Sequence, residues 1–83
     1  MKLKDIERKL TRTLLREYGA TWDEYAGLYR GEERELGRHV KVEFPLQMLV
    51  TKRTKEEVRN MFDESYDTVR ITKSVGHILY LIF

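Results

Sequence analysis

The sequence predicts a small α+β fold, a two-layer sandwich in which a small mixed sheet packs on helices. Three patterns support it: an apolar stripe at helical spacing near the start, a strictly alternating stretch in the middle, and an alternating apolar run at the end. The predicted element order is α-α-β-α-β-β. The 83 residues suffice for one domain, which we take as residues 1–83.

The first predicted helix covers residues 2–18, where apolar side chains recur at steps of three and four and so form one stripe. Gly19 follows it, at the position where helices commonly end in a left-handed residue. The residues of the stripe are Leu3, Ile6, Leu10, Leu14 and Tyr18.

A second, short helix is predicted to begin at Thr21, because T-W-D-E has the spacing of a capping box. An irregular strand is the alternative, since Gly27 disfavours a helix by about 1 kcal/mol relative to alanine. Residues 30–38 contain two glycines and no apolar period, which predicts a solvated loop.

Residues 39–51 alternate apolar and mostly polar side chains, which predicts a strand. Pro45 cannot donate to a ladder, so the strand is expected to lie at an edge or to bend there. A third helix is predicted from Thr54, the start of another capping-box spacing, to about Ser65.

Two more strands are expected at the end of the chain, around residues 69–72 and 77–83, with a turn at residues 73–76. If the strands on either side of the third helix share a sheet, a right-handed crossover makes them parallel. The last two strands are then expected to close as an antiparallel hairpin.

Composition narrows the functional classes. The chain has no cysteine, which excludes a disulfide framework and a thiolate zinc site. Its first twenty residues are charged throughout and form no continuous apolar signal or membrane segment, so we expect a cytoplasmic protein without a membrane partner. The net charge of +2 gives little reason by itself to expect nucleic-acid binding.

The distribution of the basic residues is more informative than their sum. Three arginines at i, i+4 and i+8 form a column on the first helix, opposite its apolar stripe, and such a row can follow phosphates. A second basic cluster surrounds the start of the third helix, where an anion is also favoured. The alternative for both is a solvated face. The predicted nucleic-acid-binding residues are Arg8, Lys9, Arg12, Arg16, Lys52, Arg53 and Lys55.

Three aromatic residues, Trp22, Tyr25 and Tyr29, follow the arginine column. Rings beside basic residues stack on the bases of single-stranded nucleic acids, so we interpret these three as an aromatic surface. Two alternatives remain, because aromatic residues at helical spacing commonly belong to the core and also occur at protein-binding hot spots.

The closing run H-I-L-Y-L-I-F is apolar on both faces of a strand. In a two-layer fold the helices cover only one sheet face, so we expect a second copy of the chain to cover the other. Leu79, Leu81 and Phe83 are the predicted dimer interface, and the alternative is burial within the monomer.

No nucleophile with a base, paired carboxylates, phosphate loop or histidine cluster occurs at the required spacing, so no catalytic residue, metal ligand or small-molecule cofactor is predicted. The favoured hypothesis is a non-enzymatic, homodimeric module that binds nucleic acid. The first alternative is a protein-interaction or inhibitor module. The second is a ribonuclease-like toxin that uses His39, His77 or Tyr66 in acid-base catalysis.

Overall fold

The computed structural model describes residues 3–24, 39–66 and 68–83. Within these ranges the chain forms two helices and a four-stranded sheet, so the α+β class is confirmed. The elements are α1 (Leu3–Tyr18), β1 (Thr21–Glu24), β2 (His39–Glu43), α2 (Lys52–Ser65), β3 (Arg70–Val75) and β4 (Ile78–Ile82).

Helix α1 ends as its sequence predicts. Gly19 has φ +66°, and its N–H donates to the carbonyl of Leu15 at 2.9 Å. The next N–H, that of Ala20, donates to Leu14 at 3.2 Å, so two carbonyls of the last turn are satisfied by a left-handed cap. Leu10 and Leu14 are buried, which confirms the apolar stripe over this part of the helix.

The prediction that a second helix begins at Thr21 is wrong, because Thr21–Glu24 is the strand β1. It pairs with β2 in antiparallel register, with Trp22 opposite Val42. The described residues therefore follow the order α-β-β-α-β-β, and the irregular strand considered as the alternative is what this segment forms. The predicted loop at residues 30–38 lies outside the described residues.

The prediction of a mixed sheet is also wrong. The strand order is β1-β2-β4-β3, and all three neighbouring pairs are antiparallel. Strands β2 and β3, which flank α2, do run in the same direction, but β4 lies between them and pairs with both. The predicted hairpin of the last two strands is confirmed, with a turn of only Gly76 and His77. The two-layer arrangement stays a prediction.

Strand β2 is shorter than the alternating pattern predicts. It stops at Glu43, and Phe44 still donates its N–H to the carbonyl of His77 at 2.9 Å, but Pro45 has no N–H to continue a ladder. The chain then turns, as Met48 N–H donates to the carbonyl of Pro45 at 3.0 Å.

The N-cap of helix α2 lies three residues before the predicted one. Thr51 is its N-cap, and its side chain accepts a hydrogen bond from the N–H of Thr54 at 3.2 Å. Thr54 therefore lies inside the first turn instead of capping it, and Glu57 is free to bond elsewhere. The predicted end at Ser65 is confirmed.

The buried core draws its residues from both helices and from the strands β2 and β4. Because side chains alternate along a strand, the buried residues of β2 and β4 share one face, where Val40 lies opposite Leu81 and Val42 opposite Leu79. The buried cluster contains Leu10, Leu14, Ala20, Val40, Val42, Phe44, Val58, Phe62, Val69, Leu79 and Leu81.

This core corrects the predicted dimer interface. Leu79 and Leu81 are buried within the monomer, and Phe83 packs against the same core, stacked on Tyr66 with ring centroids 4.5 Å apart. Side chains that are already buried in the chain's own core are not available to a second folded copy. The sequence indicates that β4 has two apolar faces, but it does not indicate which face is buried in the monomer.

Candidate nucleic-acid interface

The basic residues of α1 lie on its solvent-exposed side. Successive residues of a helix are separated by about 100°, so the side opposite Leu10 and Leu14 carries the arginine column. Arg8 and Arg16 have side chains that are 69% and 66% exposed. The exposed basic residues of this face, here called the α1 basic face, are Arg8, Lys9, Arg12 and Arg16.

Acidic neighbours compensate the α1 basic face only in part. Arg8 contacts Asp5 at 3.4 Å and Arg16 contacts Glu17 at 3.6 Å, and both pairs are exposed to solvent. Such pairs contribute about 0 to 1 kcal/mol, so a phosphate can replace the carboxylate at little cost. Within the described part of the chain, Lys9 and Arg12 form no ion pair.

The spacing of the column suits a regular anionic polymer. Residues four apart on a helix are separated by about 6 Å along its axis. The three arginines therefore form a straight row of positive charge about 12 Å long. A row of this kind can lie along a phosphate backbone, where neutralised charge dominates affinity.

One member of the second predicted cluster, at the start of α2, is compensated by an ion pair. Arg53 contacts Glu57 at 3.1 Å, although its side chain is exposed. Lys52 and Lys55 form no ion pair among the described residues, and the first turn of α2 contains no acidic residue. The uncompensated charge of this cluster therefore comes from the two lysines.

A hydrogen bond joins the end of α1 to the beginning of α2. Tyr18 Oη donates to Glu57 Oε1 at 3.0 Å. Burial, followed by this hydrogen bond and the negative charges of Glu57 and Glu17, raises the pKa of the Tyr18 hydroxyl above its ordinary value. The contact fixes the first turns of α2 beside the last turn of α1.

Trp22 belongs to the packing beneath α1, which corrects its assignment to an aromatic surface. Its ring meets Phe62 edge to face, with centroids 5.3 Å apart, and its Nε1–H donates to Thr11 Oγ1 at 2.9 Å. The ring is partly buried against the core, so only part of it is exposed for base stacking. Tyr25 and Tyr29, the other two residues of the predicted aromatic surface, lie outside the described residues.

The structure does not bring the two histidines together. His39 begins β2, whereas His77 lies in the β3–β4 turn and contacts Glu43, at the other end of β2, at 3.2 Å. Four residues of strand separate these ends by about 13 Å. Tyr66 packs on Phe83, so the three residues considered for acid-base catalysis do not form one site around the histidines.

The sequence pattern does not predict the exposure of two leucines. Leu46 and Leu49 are 78% and 81% exposed, although the alternating pattern places Leu46 on the same strand face as the buried Val40 and Val42. Pro45 is the residue that could have indicated this exposure. A proline ends the ladder, and beyond the end of a strand the alternating pattern no longer tells which side chains are buried.

No known protein family matches this chain, and no curated protein or solved structure shows significant similarity to it. Neither helix of the described residues is long and apolar enough to cross a bilayer.

Proposed function

We propose that this protein binds nucleic acid through the α1 basic face, by contacts with phosphates. The observation that carries the proposal is a row of exposed cations, Arg8, Arg12 and Arg16, along one rigid helix. Affinity for nucleic acids comes mainly from the neutralisation of backbone charge, so a row of this kind is sufficient for binding without a base-reading pocket.

The composition of this face also indicates which part of a nucleic acid it contacts. Arginine and lysine contacts to phosphates position a protein on nucleic acid, while sequence is read at base edges. Trp22 packs against Phe62 and donates to Thr11, so its partly buried ring has little free surface for stacking on bases. We therefore expect binding with little sequence preference and a steep dependence on salt.

Fluorescence anisotropy with labelled single- and double-stranded DNA and RNA tests this proposal over a series of salt concentrations. The test variant is Arg12→Ala with Arg16→Ala. Because each lost phosphate contact reduces the slope of log K against log salt on duplex DNA by about 0.9, this variant should reduce the slope by about 1.8.

A matched control removes two positive charges elsewhere. Arg70 and Lys73 are exposed on the edge strand β3, away from α1, so the double alanine variant changes the net charge equally. The control should retain the slope of the wild type. Absence of binding at low salt, or equal losses in the two variants, would refute the proposal.

We also propose that the helices cover one sheet face only, in two layers, and that a second copy packs on the other face. The support is β4, where Ile78, Tyr80 and Ile82 alternate with the buried Leu79 and Leu81 and are themselves only partly buried. Sedimentation equilibrium tests this part. If the protein is a monomer at every concentration, the proposal of a second copy on this face is refuted, while the proposal for the α1 basic face is unaffected.

A further inference from the structure

The loop between β2 and α2 is unusual in a chain with 36% charged residues. Residues 44–51 read F-P-L-Q-M-L-V-T and contain no charge. Leu46 and Leu49, at 78% and 81% exposed, are the most exposed large apolar side chains of the described residues. Single exposed leucines are ordinary, but two of them at the tip of one loop indicate a surface that is covered in use.

The loop holds these leucines outward by anchoring the residues around them. Phe44 is buried before the loop, and Met48 and Val50 pack against the core. The Met48–Pro45 hydrogen bond closes a turn between them. Phe44, Met48 and Val50 are thus held against the core while Leu46 and Leu49 remain exposed to solvent, and we call these two leucines the tip of the loop.

Positive charge follows the tip directly. Lys52 and Lys55 lie in the first turn of α2 and form no ion pair in the described part of the chain. Residues three apart on a helix are neighbours, so the two ammonium groups share one side of that turn. Thr51 caps the helix and fixes where this turn begins relative to the loop.

We propose that this loop and the first turn of α2 form a docking surface for an anionic lipid bilayer. Leucine side chains enter the boundary between headgroups and acyl chains, while adjacent lysines are attracted to acidic headgroups. Stable binding to a bilayer needs both apolar and basic side chains. This segment supplies both within ten residues, the leucines of the tip and the lysines Lys52 and Lys55. An anionic bilayer matches both features together, because its acyl boundary receives apolar side chains and its acidic headgroups attract the lysines.

Flotation with vesicles tests this proposal on the full chain. The vesicles contain phosphatidylcholine with phosphatidylserine, or phosphatidylcholine alone. We expect binding to the mixed vesicles, weaker binding to phosphatidylcholine, and reduced binding at high salt. Leu46→Ser with Leu49→Ser should weaken binding to mixed vesicles at least tenfold, because the burial of the two side chains is lost.

The charges are tested separately by Lys52→Gln with Lys55→Gln, which should weaken binding about fivefold for each lysine and only on vesicles with phosphatidylserine. Val75→Ser is the apolar control, since Val75 is exposed on the strand beside the neighbouring turn. It should bind as the wild type does. Circular dichroism checks that every variant is folded.

Several outcomes would overturn the proposal. The proposal fails if the wild type does not float with either vesicle, or if the leucine variant floats as well as the wild type. A change in sedimentation of the leucine variant without any vesicle binding would assign the tip to contacts between proteins. Nucleic-acid binding should persist in the leucine variant, because the α1 basic face is a separate surface.

Discussion

The hydrogen bond from Trp22 Nε1 to Thr11 Oγ1, 2.9 Å long, connects β1 to α1, and a double-mutant cycle measures its contribution to stability. Trp22→Phe keeps an aromatic ring against Phe62 but removes the donor. Thr11→Val keeps the shape and helix propensity of the side chain but removes the acceptor. A net hydrogen bond contributes about 1 kcal/mol, so the double variant should lose about 1 kcal/mol less than the sum of the single variants.

Urea unfolding followed by circular dichroism is the assay, because the chain has only one tryptophan and Trp22→Phe removes it. With a slope of about 1 kcal/mol per molar urea for a small protein, 1 kcal/mol corresponds to a midpoint shift of about 1 M. Thr13→Val, the same change on α1, is the control and should show no coupling to Trp22. A Trp22–Thr11 coupling within about 0.3 kcal/mol of zero refutes the reasoning.

Three further predictions concern backbone strain and pH. Gly19→Ala should destabilise the fold by about 1 to 2 kcal/mol, because φ is +66° and the new Cβ lies 3.2 Å from Pro45 Cγ; urea unfolding should show a smaller loss in a Pro45→Ala background. Thr68→Gly should raise the unfolding free energy by about 0.5 to 1 kcal/mol, since a β-branched residue has φ +54° there, and an unchanged urea midpoint would contradict this. The raised pKa of Tyr18 contributes stability that is present below pH about 10 and is lost as pH rises through the folded-state pKa. Melting temperatures against pH should show a shallower alkaline decline for Tyr18→Phe and Glu57→Gln, and an unchanged decline would count against it.

Local signals predicted the parts of the fold that local interactions determine. The stripe on α1 and the left-handed residue Gly19 were both read correctly, because a helix and its cap are formed by residues a few positions apart. The same holds for the end of α2 at Ser65 and for the closing hairpin.

The incorrect predictions concern segments whose conformation depends on contacts with residues far away in the sequence. T-W-D-E has the local chemistry of a helix start, but Trp22 pairs with Val42 and packs on Phe62, forty residues away. A strand is stabilised by its neighbours more than by its own propensity, so the sequence around β1 could not reveal it. The position of β4 inside the sheet follows from the same kind of long-range pairing.

The candidate site was predicted in part. The α1 basic face is where helical periodicity locates it, since exposure on a helix follows from spacing alone. The sequence does not predict that Trp22 packs against the core, because its contacts with Thr11 and Phe62 form only when the chain folds. Leu79 and Leu81 were predicted on the dimer face but are buried in the monomer. Alternation shows which residues of a strand share a face, but not which of the two faces is buried.

The location of β4 between β2 and β3 has a consequence for how the chain folds. The β3–β4 hairpin closes through two residues and can form within microseconds, whereas the β2–β4 ladder must close a loop of more than thirty residues around α2. Neither two-stranded unit is stable alone in water. The late β2–β4 pairing therefore joins two marginal halves into one cooperative unit, and it is the step that should set the folding rate.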